Sequence, residues 1–464
     1  MKTAIAIGLL TTVSAFAGTI FNAGDIVVSV EGAGLTGGTY TDNQAAPLSL
    51  FQFTTAGTFV NSLVLPQTAS GANFAVSGEY GSSSEGTLQL SGNGQYLTIG
   101  GYGVNAAAFN ANPGSFGPDP TNTALGQSGS LLGQNYTAVP RVAVLIDANG
   151  NVNSSTAVYG IFNTNNPRSV YTADGTNIYL SGQGASGDNT GGVFYTTVGS
   201  TSATSITGND AGSGAAQDTR DVQIVNGQLY VSTDSKAGAT NRSFIGTLGT
   251  GTPTSLTNGG NGPVQLPGTG TATGKETITT ATTNGINSAG QVINLSPENY
   301  YFANSTTLYI ADSGDGKQTS ATSSFGDGGL QKWSLVNGSW VLDYTLAGGL
   351  GLVANTNTDG SSGLYGLTGE VVGGQVELFA TNFTLSDLDP TFLYEISDSL
   401  AATTNPGGES FTELAAAPAD SNFKGVSFAP TSESTTPEPA SFALLGIGIA
   451  ALLVKRRAQS VRLK

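Results

Sequence analysis

The chain has 464 residues, of which 38% are hydrophobic and 10% charged; it carries 67 glycines, 17 prolines and a formal net charge of −16. Gly and Pro together stay below the share typical of low-complexity disorder, and charge is too sparse for a disordered tail or a coiled coil. Having no His and no Cys, the chain cannot build a Ser-His-Asp triad, a Cys-His dyad, a His or Cys zinc site or a disulfide.

Residues 1–17 place Lys2 before an apolar stretch that ends in Ala15-Phe16-Ala17. This order predicts a secretory signal peptide cleaved after Ala17. From Gly18 to Pro439, nine basic residues face 31 acidic ones, a net charge of −22. Such a balance disfavours nucleic acid and anionic lipid as partners, because both require clustered Lys or Arg. The acidity itself is what keeps an exported protein soluble.

Residues 18–430 read as one all-β body. Short runs rich in Val, Ile, Thr, Tyr and Phe alternate with polar residues between Gly, Asn, Asp and Ser clusters, as in Asp25 to Val30, Val142 to Ile146 and Trp340 to Thr345. One unit recurs: a tight turn feeding a half-buried strand, marked by Gly94, Gly175, Gly227, Ser305 and Gly374 at separations of 52 to 81 residues. The strand before the turn begins Arg168-Ser-Val-Tyr in one copy and Arg220-Asp-Val-Gln in the next. If the longest intervals hide degenerate copies, the period approaches that of four-stranded blades. On that basis, and on the closing strand Asn422 to Pro430, the body resembles secreted β-propellers and is expected to form about seven blades. A β-solenoid or paired β-sandwiches would explain the same strand content.

Without His, acid and base chemistry falls to carboxylates, Tyr and Lys. Asp218, Asp221, Asp234, Asp312 and Glu370 lie near strand ends and are the catalytic candidates, although spacing alone cannot pair them. Asp147, Asp312 and Asp315 lie in Asp/Asn/Gly loops that offer hard oxygens to Ca²⁺, but the same residues make ordinary hairpin turns and both loops lack the downstream bidentate Glu. No other cofactor is expected, since no nucleotide fingerprint stands between a strand and a helix. Tyr300, Tyr301, Trp333, Trp340 and Tyr344 would either stack on sugar rings or fill the space between sheets. These features favour a non-catalytic protein that binds glycan or matrix, with exopolysaccharide or surface glycan as partner. A carboxylate-dependent glycan hydrolase or lyase is the alternative.

Beyond the body, residues 431–436 form a Ser/Thr-rich linker, followed by Pro437-Glu438-Pro439, an uncharged stretch over 440–454, and Lys455-Arg456-Arg457. Fifteen helical residues reach about 22 Å, short of the roughly 30 Å hydrocarbon core, so the predicted transmembrane helix is a weak anchor. The basic cluster would keep its end in the cytoplasm. This tail, residues 437–464, resembles the PEP-CTERM sorting signal of exosortase substrates. The resemblance implies that Pro437, Glu438 and Pro439 are read by an exosortase, with Lys455, Arg456 and Arg457 completing the signal. It further implies export across the inner membrane, transient membrane anchoring, and release to the cell surface or extracellular matrix.

Overall fold

The computed structural model describes residues 20–185, 187–208, 218–235, 242–271, 276–277, 294–314, 328–354 and 356–432. The signal-peptide residues Ala15 and Ala17, the loop residue Asp315, the sorting residues 437–439 and 455–457 and the predicted helix 440–454 all lie outside them.

The body, residues 20–431 within the first compact unit, is a succession of antiparallel runs. The first is β1 (Ile26–Gly32), β2 (Ala45–Phe53) and β3 (Phe59–Val64), followed by the short β4 (Ser77–Glu79). The second comprises β5 (Leu88–Leu90), β6 (Tyr96–Tyr102), β7 (Arg141–Asp147) and β8 (Val152–Val158). Two four-stranded sheets follow: β9 (Pro167–Thr172), β10 (Asn177–Gly182), β11 (Gly192–Thr197) and β12 (Thr204–Ser205), then β13 (Thr219–Val225), β14 (Gln228–Ser235), β15 (Arg242–Thr247) and β16 (Val264–Thr271). After the small pair β17 (Glu276–Thr277) and β18 (Asn294–Leu295) come β19 (Pro297–Asn304), β20 (Thr307–Asp312), β21 (Gly329–Val336) and β22 (Ser339–Leu346). The last four-stranded sheet is β23 (Ser361–Val372), β24 (Gln375–Thr384), β25 (Phe392–Ser399) and β26 (Thr412–Ala416). Finally β27 (Ser421–Phe428) returns to pair antiparallel with β1, setting Ile26 opposite Phe428.

The recurring turn-strand unit of the sequence is β6, β10, β14, β20 and β24, each the second strand of its run. Four of its five turns hold a positive φ; Asn226 and Gly227 stand at +49° and +77° between β13 and β14, the pair of left-handed residues that a two-residue hairpin demands.

The expectation of a seven-bladed β-propeller is corrected. The described strands form open antiparallel sheets, four of four strands and one of nine in which both ends of the body take part, and no sheet closes into a barrel. The longest interval between turn markers holds a loop insertion rather than a hidden copy. Between Gly94 and Gly175 the excess length runs through α1 (Ala106–Ala111), capped by Asn105, whose side chain accepts from the Ala108 amide at 2.8 Å. The alternatives fare no better. A solenoid needs parallel rungs, whereas the pairings described are antiparallel. Paired sandwiches leave outer faces bare, yet the sheet β9–β12 is covered on both. Val170, Ile178, Leu180 and Phe194 pack with Leu145 and Val158, while Tyr171, Tyr179, Val193 and Ile206 pack with Val222, Leu229 and Val231.

The expected transmembrane helix and transient membrane anchoring are also withdrawn. Among the described residues no helix is long and apolar enough to cross a membrane, and the segment on which anchoring depended is not among them.

What positions the functional groups is the contact between runs. The first strand of each run packs against the first strand of the next, β5 on β9, β9 on β13, β13 on β19, β19 on β23, β23 on β27, and β27 back on β5. Six strands therefore bring their side chains to a common centre.

Candidate functional site

Apolar residues of these six strands are taken up by the packing between sheets, which leaves their polar residues to converge. Arg168 on β9, Arg220 on β13, Glu298 on β19, Tyr365 on β23 and Lys424 on β27 each stand two residues before a buried apolar or aromatic residue of the same strand: Val170, Val222, Tyr300, Leu367 and Val426. Just ahead of the sixth strand, β5, the equivalent place is Gly86, where a Cβ would lie 2.8 Å from that of Lys424 and 3.1 Å from Glu31 Oε1. Glycine there makes room for two long charged side chains.

The layer is organised by Arg220. Its guanidinium reaches Glu298 Oε2 at 3.2 Å, Asp218 Oδ1 at 3.5 Å and Asp234 Oδ2 at 3.6 Å, and Arg168 pairs with Asp218 as well. Asp234 is fixed by the Ser243 hydroxyl at 3.1 Å and the Ser296 hydroxyl at 2.8 Å, and Glu298 accepts from Ser313 at 3.2 Å. Burial pushes the Glu298 carboxyl above the usual carboxylate range, against the pull of Arg220. Arg220 and Asp218 keep 13% and 11% of their side chains exposed, so solvent reaches the cluster from that side. The Tyr365 hydroxyl donates to the Glu85 carbonyl at 2.7 Å and lies 3.0 Å from the Thr87 hydroxyl.

Three further carboxyls are buried, Glu31 near Lys424 and Glu79 and Glu85 toward Arg141, and burial raises all three above their ordinary range. Glu85 accepts from the Tyr102 hydroxyl and the Asn166 amide, and Glu79 from the Gly126 backbone. Both Glu31 oxygens lack a hydrogen-bond partner, and Lys424, whose ammonium donates to the Ser82 carbonyl, supplies the nearby positive charge.

Of the candidates read from the sequence, Asp218 and Asp234 meet on Arg220. Asp312 is joined to them through Ser296, whose amide donates to Asp312 Oδ1 at 3.1 Å. Asp221 lies in the same strand as Arg220 but takes hydrogen bonds from Ser169 and Gln223, and burial pushes its carboxyl up to about 7. Glu370 is exposed at the far end of β23, away from this group. As calcium candidates, Asp147 spends its carboxylate on the amides of Asn149 and Asn151, and Asp312 accepts from Ser296, Gly314 and Gln331. Among the described residues, no three His, Cys, Asp or Glu side chains are arranged to hold a metal ion. Four of the five aromatic candidates are core: Tyr300, Trp333, Trp340 and Tyr344 are all buried between sheets, and Tyr301 alone is half-buried.

Sequence reasoning missed Glu298, Tyr365, Lys424 and the buried glutamates. The signal was present in the paired openings Arg168-Ser-Val-Tyr and Arg220-Asp-Val-Gln: extended down the chain at the same register, they reach Glu298-Asn-Tyr-Tyr, Tyr365-Gly-Leu-Thr and Lys424-Gly-Val-Ser.

The PEP-CTERM protein-sorting motif matches residues 435–457. The chain thus carries an exosortase sorting signal at that end. No curated protein matches the sequence. Among solved structures, a hypothetical selenium-binding protein from Sulfolobus tokodaii is similar at 11% identity and a TM-score of 0.40, over 89% of this chain and 95% of that one. An oligogalacturonate lyase in complex with manganese is similar at 10% identity and a TM-score of 0.37, over 79% and 77%. A polysaccharide lyase, an ulvan lyase, is similar at 11% identity and a TM-score of 0.33, over 85% and 81%. The expectation of a non-catalytic protein does not stand beside these matches, in which polysaccharide-cleaving enzymes recur. At such TM-scores they carry no argument for the chemistry of this chain.

Proposed function

We propose that this exosortase-sorted protein is a glycan hydrolase that works through carboxylates, with Glu298 as general acid and Asp234 as the facing carboxylate. The observation that carries the reading is the hold of Arg220 on both groups, at 3.2 Å and 3.6 Å from two nitrogens of one guanidinium. A pair of carboxyls flanking the scissile bond is what glycosidic cleavage requires. Burial favours the protonated form of Glu298, as suits a group that must give a proton to the leaving oxygen. In the hydrolysis proposed, Glu298 protonates the glycosidic oxygen as the bond from the anomeric carbon breaks. Water adds to that carbon and its proton passes to Asp234. The lyase variant is less well supported, because it needs a cation free to face a uronate carboxylate, and Arg168 and Arg220 are already engaged by acidic side chains.

The test is release of reducing ends from a panel of neutral polysaccharides by the purified protein. Glu298→Gln and Asp234→Asn should each lower kcat by about 10² or more while the far-ultraviolet circular dichroism stays unchanged. A folded protein that cleaves nothing in the panel, or an E298Q variant of undiminished activity, would overturn the assignment.

A further inference from the structure

Three residues beyond the charged layer, the same strands line a second feature. Three residues of strand correspond to about 10 Å. At that distance a cavity of about 140 Å³ is lined by residues of all six first strands, among them Gln89, Tyr171, Gln223, Tyr301, Thr368 and Ser427. Gln223, Tyr301 and Thr368 are partly exposed, so the cavity opens to solvent. No lining side chain is charged.

We propose that this cavity is a binding site for a single uncharged pyranose ring, as a free monosaccharide or the end of a glycan chain. Size is the first argument: an enclosed cavity of about 150 Å³ takes up one benzene-sized ring, and this one, of about 140 Å³ and open to solvent, has room for part of a single sugar ring rather than for a longer segment of chain. Chemistry is the second. Tyr301, half-buried at the rim, supplies an aromatic wall, and amides and hydroxyls complete the lining, the combination that suits a ring with apolar faces and a polar edge. The third is preorganisation. Gln89 donates to the Val222 carbonyl at 2.9 Å, Gln223 to the Tyr300 carbonyl at 3.0 Å and Tyr171 to the Ile224 carbonyl at 3.1 Å, so each is held in place by a neighbouring strand or its own edge before a ligand arrives. Selectivity for an uncharged ring follows from the lining itself, which holds no cation to offset the charge of a uronate carboxylate.

The experiment is saturation-transfer NMR and calorimetric titration of the full chain with glucose, galactose and mannose, and with glucuronate as the charged comparison. At least one neutral sugar should bind and glucuronate should not. Thr368→Trp, which fills the cavity from its partly exposed wall, and Tyr301→Ala, which removes the aromatic face at the rim, should each weaken binding more than tenfold while the far-ultraviolet circular dichroism stays unchanged. If one variant fails to fold, the other decides. The E298Q variant should bind as the parent does, which separates this site from the hydrolytic reading. Absence of binding by all three neutral sugars, equal binding of glucuronate, or binding that survives both cavity variants would show the cavity to hold water only and overturn the proposal.

Discussion

Arg220 is the residue on which the most charge depends. With Asp218, Asp234 and Glu298 gathered on it, Arg220→Ala would leave three acidic groups without their shared cation. Breaking a buried ion pair from one side costs about 3–5 kcal/mol, and a loss of that order is expected in urea denaturation at neutral pH. A loss below 1 kcal/mol would show the cluster to be well solvated. Asp221 gives a pH-dependent counterpart. Its carboxyl is pushed up to about 7 by burial, with the hydrogen bonds from Gln223 and Ser169 opposing, whereas an unfolded Asp titrates near 3.9, about the ordinary value. The folded state holds the proton more tightly, so the contribution to stability is full below about pH 4 and is lost as the pH rises through about 7. Asp221→Asn should flatten the decline in the urea midpoint across that window, and an unchanged slope would exclude Asp221 as its source.

At the scale of elements, adjoining sheets are joined by a buried polar clasp as well as by apolar packing. Lys332 on β21 donates to Asp398 on β25 at 2.8 Å and to the Ser399 carbonyl at 2.6 Å, and the hydroxyls of Tyr309 and Tyr344 also donate to Asp398. Lys332 is 1% exposed and Asp398 not at all, so Asp398→Ala should destabilise by about 3–5 kcal/mol by stranding a buried ammonium. Replacing Lys332 by Met and Asp398 by Leu together should recover much of that loss in thermal denaturation; if the double variant is as unstable as the single one, the tyrosine hydroxyls carry the interaction. The hairpin strands around this clasp were legible in the sequence because they alternate, as in β22, where Trp340, Leu342, Tyr344 and Leu346 point inward. Of the first strands, β9, β13 and β27 were read, whereas β5, β19 and β23 were not. Covered on both faces and bearing polar groups toward the centre, a strand such as Pro-Glu-Asn-Tyr-Tyr-Phe-Ala-Asn has no period of two to find.

For the whole molecule, the deciding contact joins the ends of the body. β27 lies against β1 and supplies Lys424 to the central layer, and among the described residues the last hydrogen bonds, from the Thr431 amide and hydroxyl to the Gly94 carbonyl, fall just before the sorting motif at 435–457. Processing at that motif is expected to leave these contacts intact. A chain ending at residue 431 should melt at the temperature of the longer chain, whereas one ending at residue 420, lacking β27, should lose its cooperative transition in calorimetry. Equal melting of the two would mean that β27 is dispensable. In the native host, Glu438→Ala should leave Lys464 attached, as read by mass spectrometry of the mature protein, if an exosortase reads that residue.

The sequence by itself determined what depends on near neighbours. An Asn-Gly turn requires two left-handed residues whatever surrounds it, alternation marks a half-buried strand, and the sorting tail is a linear signal that needs no fold to be recognised. Tertiary structure alone decided the number of sheets, because loop length between turn markers looks the same whether it conceals a strand or an insertion such as α1. It also decided the site. Asp218 and Asp234 could be singled out as carboxylates near strand ends, but their meeting with Glu298 on Arg220 joins strands far apart in the chain. Which side chains share a desolvated centre is set by how sheets pack, and spacing along the chain carries no record of it.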